Sequence, residues 1–173
     1  MVKINKAFKG FTLIELLIVI AIISIIASVV FVSLDPLRRF RDSRDAKRWA
    51  DITAVLSAIK IDQVDNGGEY MGPIKTITAN RVYMITDGNV GSGCAAANAY
   101  CSQDVFDDAS CVDLSDLRTQ GYLGSVPVSP KGSFEWTSGL TGYTLEKSST
   151  GILTIRACEA ENTQGGSEIK AAR

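Results

Sequence analysis

"KGFTLIELLIVIAIIS", Lys9 to Ser24, sets one carboxylate, Glu15, at the head of an apolar run that continues to Leu34. From Phe11 to Leu34 Glu15 is the only ionisable side chain, and a helix of that length reaches roughly 36 Å against a hydrocarbon core of about 30 Å. The run is rich in Ile and Val on every side, with Ser24, Ser28 and Ser33 as small polar breaks. Such a helix faces lipid or copies of itself, because no single stripe of it is polar enough to face water. A carboxylate at the bilayer centre costs on the order of 2.5–3.5 kcal/mol on insertion scales. Glu15 therefore either lies close enough to the interface to reach water or has a cationic partner.

The remainder of the 173 residues has ordinary polar composition, so the mean hydropathy of +0.12 is a local excess from this run. With 18 basic and 19 acidic side chains the net charge is near zero and offers no field to attract nucleic acid or anionic lipid. The chain has no histidine, which excludes Ser-His-Asp and Cys-His catalysis, His-ligated zinc and histidine pH switching. Cys94, Cys101, Cys111 and Cys158 all follow the apolar run without C-x-x-C spacing, so they predict disulfides and a domain outside the cytoplasm. Lys3, Lys6 and Lys9 resemble the basic start of a secretory signal, but the run is too long for one and "VSLDP" supplies no A-x-A site, so the segment stays attached. Basic residues flank the run on both sides. Its orientation is accordingly read from the cysteines, since the charge rule is weak for a long following domain.

"KGFTLIELLIVIAIISIIA" resembles the class III signal of type IV prepilins and of type II secretion and competence pseudopilins, matching residue by residue from Lys9 to Leu17. The resemblance implies a leader at 1–10, cleavage between Gly10 and Phe11 by a prepilin peptidase, and N-methylation of Phe11. It also implies that Glu15 pairs with the Phe11 amine of a neighbouring subunit, one helical turn away in sequence. Loss of Lys3, Lys6 and Lys9 takes the formal side-chain charge from −1 to −4. Subunits would wait in the cytoplasmic membrane with the head outside. An assembly platform and its ATPase machinery would then extract them into a homo-oligomeric helical filament at the cell surface.

The implied fold is α+β: a long N-terminal helix, transmembrane over 11–34 and amphipathic over 35–66, packed on a small antiparallel sheet as in the pilin lollipop. Asp35-Pro36 reads as an N-cap followed by Pro at N1, so a break falls near Leu34 and Asp35. Beyond it, Asp35 and Arg39, Arg38 and Asp42, Arg41 and Asp45, and Lys47 and Asp51 stand four apart, either as a solvated face or as pairs between subunits. Trp49, Ile52, Leu56 and Ile59 lay an apolar stripe that a sheet must cover.

"DNGGEYMGP" ends the helix, and the head follows over 67–165, with a flexible polar tail at 166–173. Strands are expected over Arg81–Ile85, Phe134–Thr137, Tyr143–Lys147 and Ile152–Cys158. The last two form a hairpin through "SSTG", with Leu145, Leu153 and Ile155 toward the helix. The long excursion from Gly88 to Cys111 reads as a stapled loop. Three disulfide connectivities are open; the favoured one joins Cys94 to Cys101 and Cys111 to Cys158.

"GYLGSVPVSPKGS" (Gly121–Ser133) resembles a stretch of the type II secretion major pseudopilin in which an Asp precedes the second proline near a calcium-binding loop. Here Ser129 stands in that place, and "DVFDDASCVD" lacks EF-hand spacing, so no metal or cofactor is assigned. The leading expectation is a structural, non-enzymatic pilin precursor, and the alternative a pseudopilin of a secretion or DNA-uptake system. A third reading is a membrane-tethered, non-polymerising binding module or hydrolase. It has only adjacent carboxylates such as Asp107 and Asp108 to support it.

Overall fold

The computed structural model describes residues 10–161 and 168–173. Two compact units divide the chain, Met1–Arg39 and Phe40–Arg173. In the first, helix α1 (Leu13–Leu34) has no buried residue. It ends at Asp35, whose left-handed φ of 37° stops the helix where the sequence places the break. Helix α2 (Pro36–Asp65) restarts at once: Asp35 Oδ1 accepts the Arg38 N–H at 3.3 Å, and proline at the first position forfeits only a donor that a helix start cannot use.

The second unit holds the rest of α2 and the head: α3 (Gly72–Thr76), β1 (Val82–Thr86), β2 (Cys111–Asp113), α4 (Ser115–Thr119), β3 (Tyr143–Lys147), β4 (Leu153–Ala157) and β5 (Lys170–Ala172). The strands form one sheet in the order β2-β1-β3-β4-β5. It is mixed, because β2 runs parallel to β1 while the other neighbours are antiparallel. The β3–β4 hairpin pairs Leu145 with Ile155 as expected. Phe134–Thr137 is no strand: Trp136 instead packs into the core, and its indole N–H donates to Glu159 at 2.8 Å. The expected tail at 166–173 falls partly outside the described residues, but Lys170–Ala172 is ordered as an edge strand on β4.

Alternation along the strands divides the core in two. Ile52, Val55, Leu56 and Ile59 of α2 meet Ile85, Leu145, Leu153 and Ile155 from one face of the sheet. Trp49 leaves this stripe and is 45% exposed. On the other face Met84 packs with Cys94, Ala97, Val105, Trp136 and Cys158, so the Gly88–Cys111 excursion is the cover of the second face. Gly142 makes that packing possible. At φ 78° it sits in the left-handed region, and a Cβ there would lie 2.6 Å from the Trp136 ring.

The disulfides join Cys94 to Cys111 and Cys101 to Cys158, correcting the expected pairing. Sheet order gives the reason. Cys111 opens β2 and Cys158 follows β4, three strand spacings away, about 14 Å at the usual inter-strand distance and far beyond disulfide reach.

Charges along α2 also depart from expectation. Of the four predicted pairs Lys47 and Asp51 form an ion pair at 3.0 Å, and Asp45 also pairs with Arg48, three residues on. Arg48, at 0% exposure, is instead the hub. Its Nη1 donates to Asp45 at 2.7 Å and to Glu161 at 2.8 Å. Its Nη2 donates to the Pro130 carbonyl, its Nε to Ser129 Oγ, and Glu159 lies 3.5 Å away. Arg44 adds an ion pair to Glu161. Buried charge is tolerable only with such saturation, and here it ties α2 to two loops of the head. Ser129, where the calcium-binding resemblance would place an aspartate, is thus a partner of Arg48.

Candidate functional site

Gly10, Phe11, Thr12 and Glu15 come together at the start of α1. Gly10 and Phe11 precede the helix in non-regular backbone; Phe11 is 87% exposed, and no atom of the described residues lies within 4 Å of where a Gly10 Cβ would be. Thr12 is the N-cap, with extended φ and ψ of −78° and 151°.

Thr12 and Glu15 form a capping box, the T-x-x-E arrangement in which each end serves the other. The Glu15 N–H donates to Thr12 Oγ1 at 3.3 Å. Glu15 Oε2 accepts both the Thr12 N–H and the Thr12 hydroxyl at 2.8 Å. Oε1 accepts from none of the described residues. The carboxylate also lies at the positive end of the α1 dipole, the favourable end for an anion. The nitrogen of Phe11 is a peptide amide in this uncleaved chain, and Lys3, Lys6 and Lys9 lie outside the described residues.

Beyond this cap, α1 meets the length and apolarity needed to cross a membrane, its 22 residues rising about 33 Å. Ser24 donates to the Ile20 carbonyl and Ser28 to the Ser24 carbonyl, each at 2.7 Å, so both hydroxyls are satisfied within the helix. That matters in lipid, where an unpaired hydroxyl has no water to turn to.

Among known protein families, residues 5–31 match the model described as the prokaryotic N-terminal methylation motif. The chain carries a prokaryotic N-terminal methylation motif. This motif is the class III signal of type IV pilins, and it fits a membrane-anchored, pilin-like or pseudopilin precursor processed by a prepilin peptidase. It covers Gly10, Phe11, Thr12 and Glu15 and most of α1, but none of the head. No curated protein and no solved structure matches the chain.

The four cysteines are the remaining residues singled out in the sequence, and they lie in the head as two bridges. Asp107 and Asp108 serve the same loop: Asp107 accepts from the Ser110 hydroxyl at 2.7 Å, and the Asp108 carbonyl from the Cys94 N–H at 3.1 Å. Sequence reasoning missed Thr12 as the partner of Glu15, although the T-x-x-E spacing ahead of an apolar run was there to be read.

Proposed function

We propose that the chain is a structural precursor, cut between Gly10 and Phe11, methylated on Phe11 and polymerised into an extracellular type IV pilus filament. The observation that carries this reading is α1 itself: a helix of 22 residues, none of them buried, whose first turn holds a carboxylate with one oxygen that takes no hydrogen bond from the described residues. Once the leader is cut, the Phe11 nitrogen becomes a cation. An ion pair between Glu15 Oε1 and the Phe11 amine of a neighbour then neutralises both charges as the helices leave lipid and bury one another. On this reading chemistry is done to the chain by the peptidase, and the chain catalyses none. An assembly platform and ATPase would supply the work of extraction.

Mass spectrometry of the N-terminus tests the first step: the mature chain should begin at methylated Phe11, and an intact Met1 or a cut elsewhere overturns the reading. Immunogold imaging should then find the chain in long surface fibres. The second reading, a pseudopilin of a secretion or DNA-uptake system, is favoured by "GYLGSVP" and predicts cleavage at the same bond with no long surface fibres.

A further inference from the structure

The apolar run ends at Leu34, and the first two turns of α2 change character at once with Leu37, Arg38, Arg39, Phe40 and Arg41. All five are exposed, Leu37 at 69% and Phe40 at 64%. At about 100° per residue, Leu37, Arg38, Phe40 and Arg41 share one side of the helix. Arg39 points elsewhere: its Nε donates to the Leu34 carbonyl at 3.0 Å, satisfying one of the last acceptors of α1. The guanidinium groups of Arg38 and Arg41 have no hydrogen-bond or ion-pair partner among the described residues. Asp45, four residues after Arg41 and its expected partner, is engaged by Arg48 and by the Glu161 N–H instead.

We propose that this face of α2 binds the phosphates of anionic phospholipid headgroups at the end of the membrane span. The inference rests on reading α1 as a membrane anchor. A helix that rises about 33 Å crosses the roughly 30 Å hydrocarbon layer and sets Leu34 at its edge, where a headgroup layer roughly 5–7 Å deep begins. Leu37 and Arg38 lie at most one helical turn farther out, within that layer. Arg41 is one turn beyond, near enough for its long side chain to reach back. Guanidinium matches phosphate with paired donors, and basic side chains beside a span are drawn to an anionic leaflet. Leu37 and Phe40 give the same face an apolar part to set against the acyl boundary, which a free phosphate ion would leave without a partner. Extraction into a filament then has to break these contacts, so lipid composition sets part of the work.

The test uses the full-length chain reconstituted in vesicles of phosphatidylglycerol and phosphatidylcholine in equal parts. Each lipid is spin-labelled in turn, and electron spin resonance reads the fraction held at the protein. Phosphatidylglycerol should associate more tightly than phosphatidylcholine, by about fivefold for each arginine engaged. Added sodium chloride should shrink the preference. The double variant Arg38→Gln, Arg41→Gln should lose most of it, with Lys3, Lys6 and Lys9 giving both proteins the same background. Arg118→Gln, whose guanidinium pairs with Asp87, should keep it. Equal association of the two lipids with the parent, or a preference that the double variant retains, overturns the proposal. So does a preference abolished by sodium phosphate at an ionic strength where sodium chloride spares it, because the site would then belong to free phosphate. Alkaline carbonate extraction keeps the two readings apart: a chain retained in the vesicles without lipid preference refutes headgroup binding alone, whereas a chain released refutes the anchor as well.

Discussion

Glu15 in α1 and Arg48 in α2 both stand where charge is costly, one at the head of an apolar helix and the other with no exposed surface, and they are satisfied in opposite ways. Among the described residues the Glu15 carboxylate takes its bonds from Thr12, three residues away, through one oxygen only. Arg48 takes its own from residues 3 to 113 positions away and employs Nε, Nη1 and Nη2 alike. The region around Arg48 is therefore closed: charge there fixes loops to a helix and leaves nothing over. The region around Glu15 is open, on a helix whose apolar surface is equally unspent. A saturated charge stabilises one chain, whereas on the proposed reading the carboxylate at the head of the apolar helix recruits another.

The largest effect that would break this contrast comes from Glu15→Val. It removes the open oxygen while leaving the helix apolar, so membrane insertion and cleavage after Gly10 should persist and sedimentable filaments should disappear. Filaments at wild-type yield would show that the free oxygen is no recruiter. Thr12→Val sharpens the point: it loses the cap, worth about 1 kcal/mol in an ordinary helix, yet keeps the carboxylate.

Next in size is Arg48→Met, which keeps the stem but removes the shared cation from among Asp45, Glu159 and Glu161, leaving Glu161 its ion pair with Arg44 and Glu159 its bond from Trp136. Removing one member of a buried charge cluster typically costs about 3–5 kcal/mol, a large share of a domain's stability of about 5–15 kcal/mol. Chemical denaturation followed by the tryptophan signal should register it, with Arg48→Lys intermediate because a lysine cannot reproduce the fork. A loss under about 1 kcal/mol would mean that these carboxylates find water, and that the region is less closed than the 0% exposure of Arg48 implies.

The same contrast explains what the sequence made legible. Glu15, the span behind it, the break at Asp35, the Ile52, Leu56 and Ile59 stripe and the β3–β4 hairpin all rest on spacings of a few residues, which periodicity and capping rules can read. Arg48 was hidden because its partners at Ser129, Pro130, Glu159 and Glu161 are distant in sequence, and a charge run at helical spacing looks like a solvated face. Strands β2 and β5 are three residues each, too short to alternate visibly. The disulfide pairing depended on strand order, and so did the second face that the cysteine loop covers.

Third come the bridges. Each native bridge in a small domain contributes about 2–4 kcal/mol. The Cys101–Cys158 bridge spans 57 residues and the Cys94–Cys111 bridge 17, so the loop-entropy account gives the longer one an advantage of about 1 kcal/mol. Paired Ser variants compared by denaturation check this, and mapping of the linked peptides checks the pairing itself. Neither pair of variants should alter cleavage after Gly10, because processing belongs to the other region. Cleavage lost with a bridge would contradict that division.

The smallest effect is in acid, where two groups of the head act in opposite senses. Arg44, then Arg48, hold the Glu161 carboxyl below its usual range by hydrogen bonding and charge, against the effect of burial. Its contribution is fully present above the unfolded pKa of about 4.3 and is lost as pH falls through the lower folded value. Asp62 is shifted up, chiefly by burial, so its penalty begins above the unfolded pKa of about 3.9, is complete above its folded value, and is relieved as pH falls. In the wild type the two partly cancel as acid is added. Asp62→Asn should raise stability at neutral pH and steepen the loss on acidification, while Glu161→Gln should flatten that loss from a lower neutral plateau. Melting curves of the three proteins between pH 3 and 7 decide it: parallel profiles would mean that neither carboxyl titrates differently in the folded head, and the closed character assigned to the Arg48 region would then have to rest on packing alone.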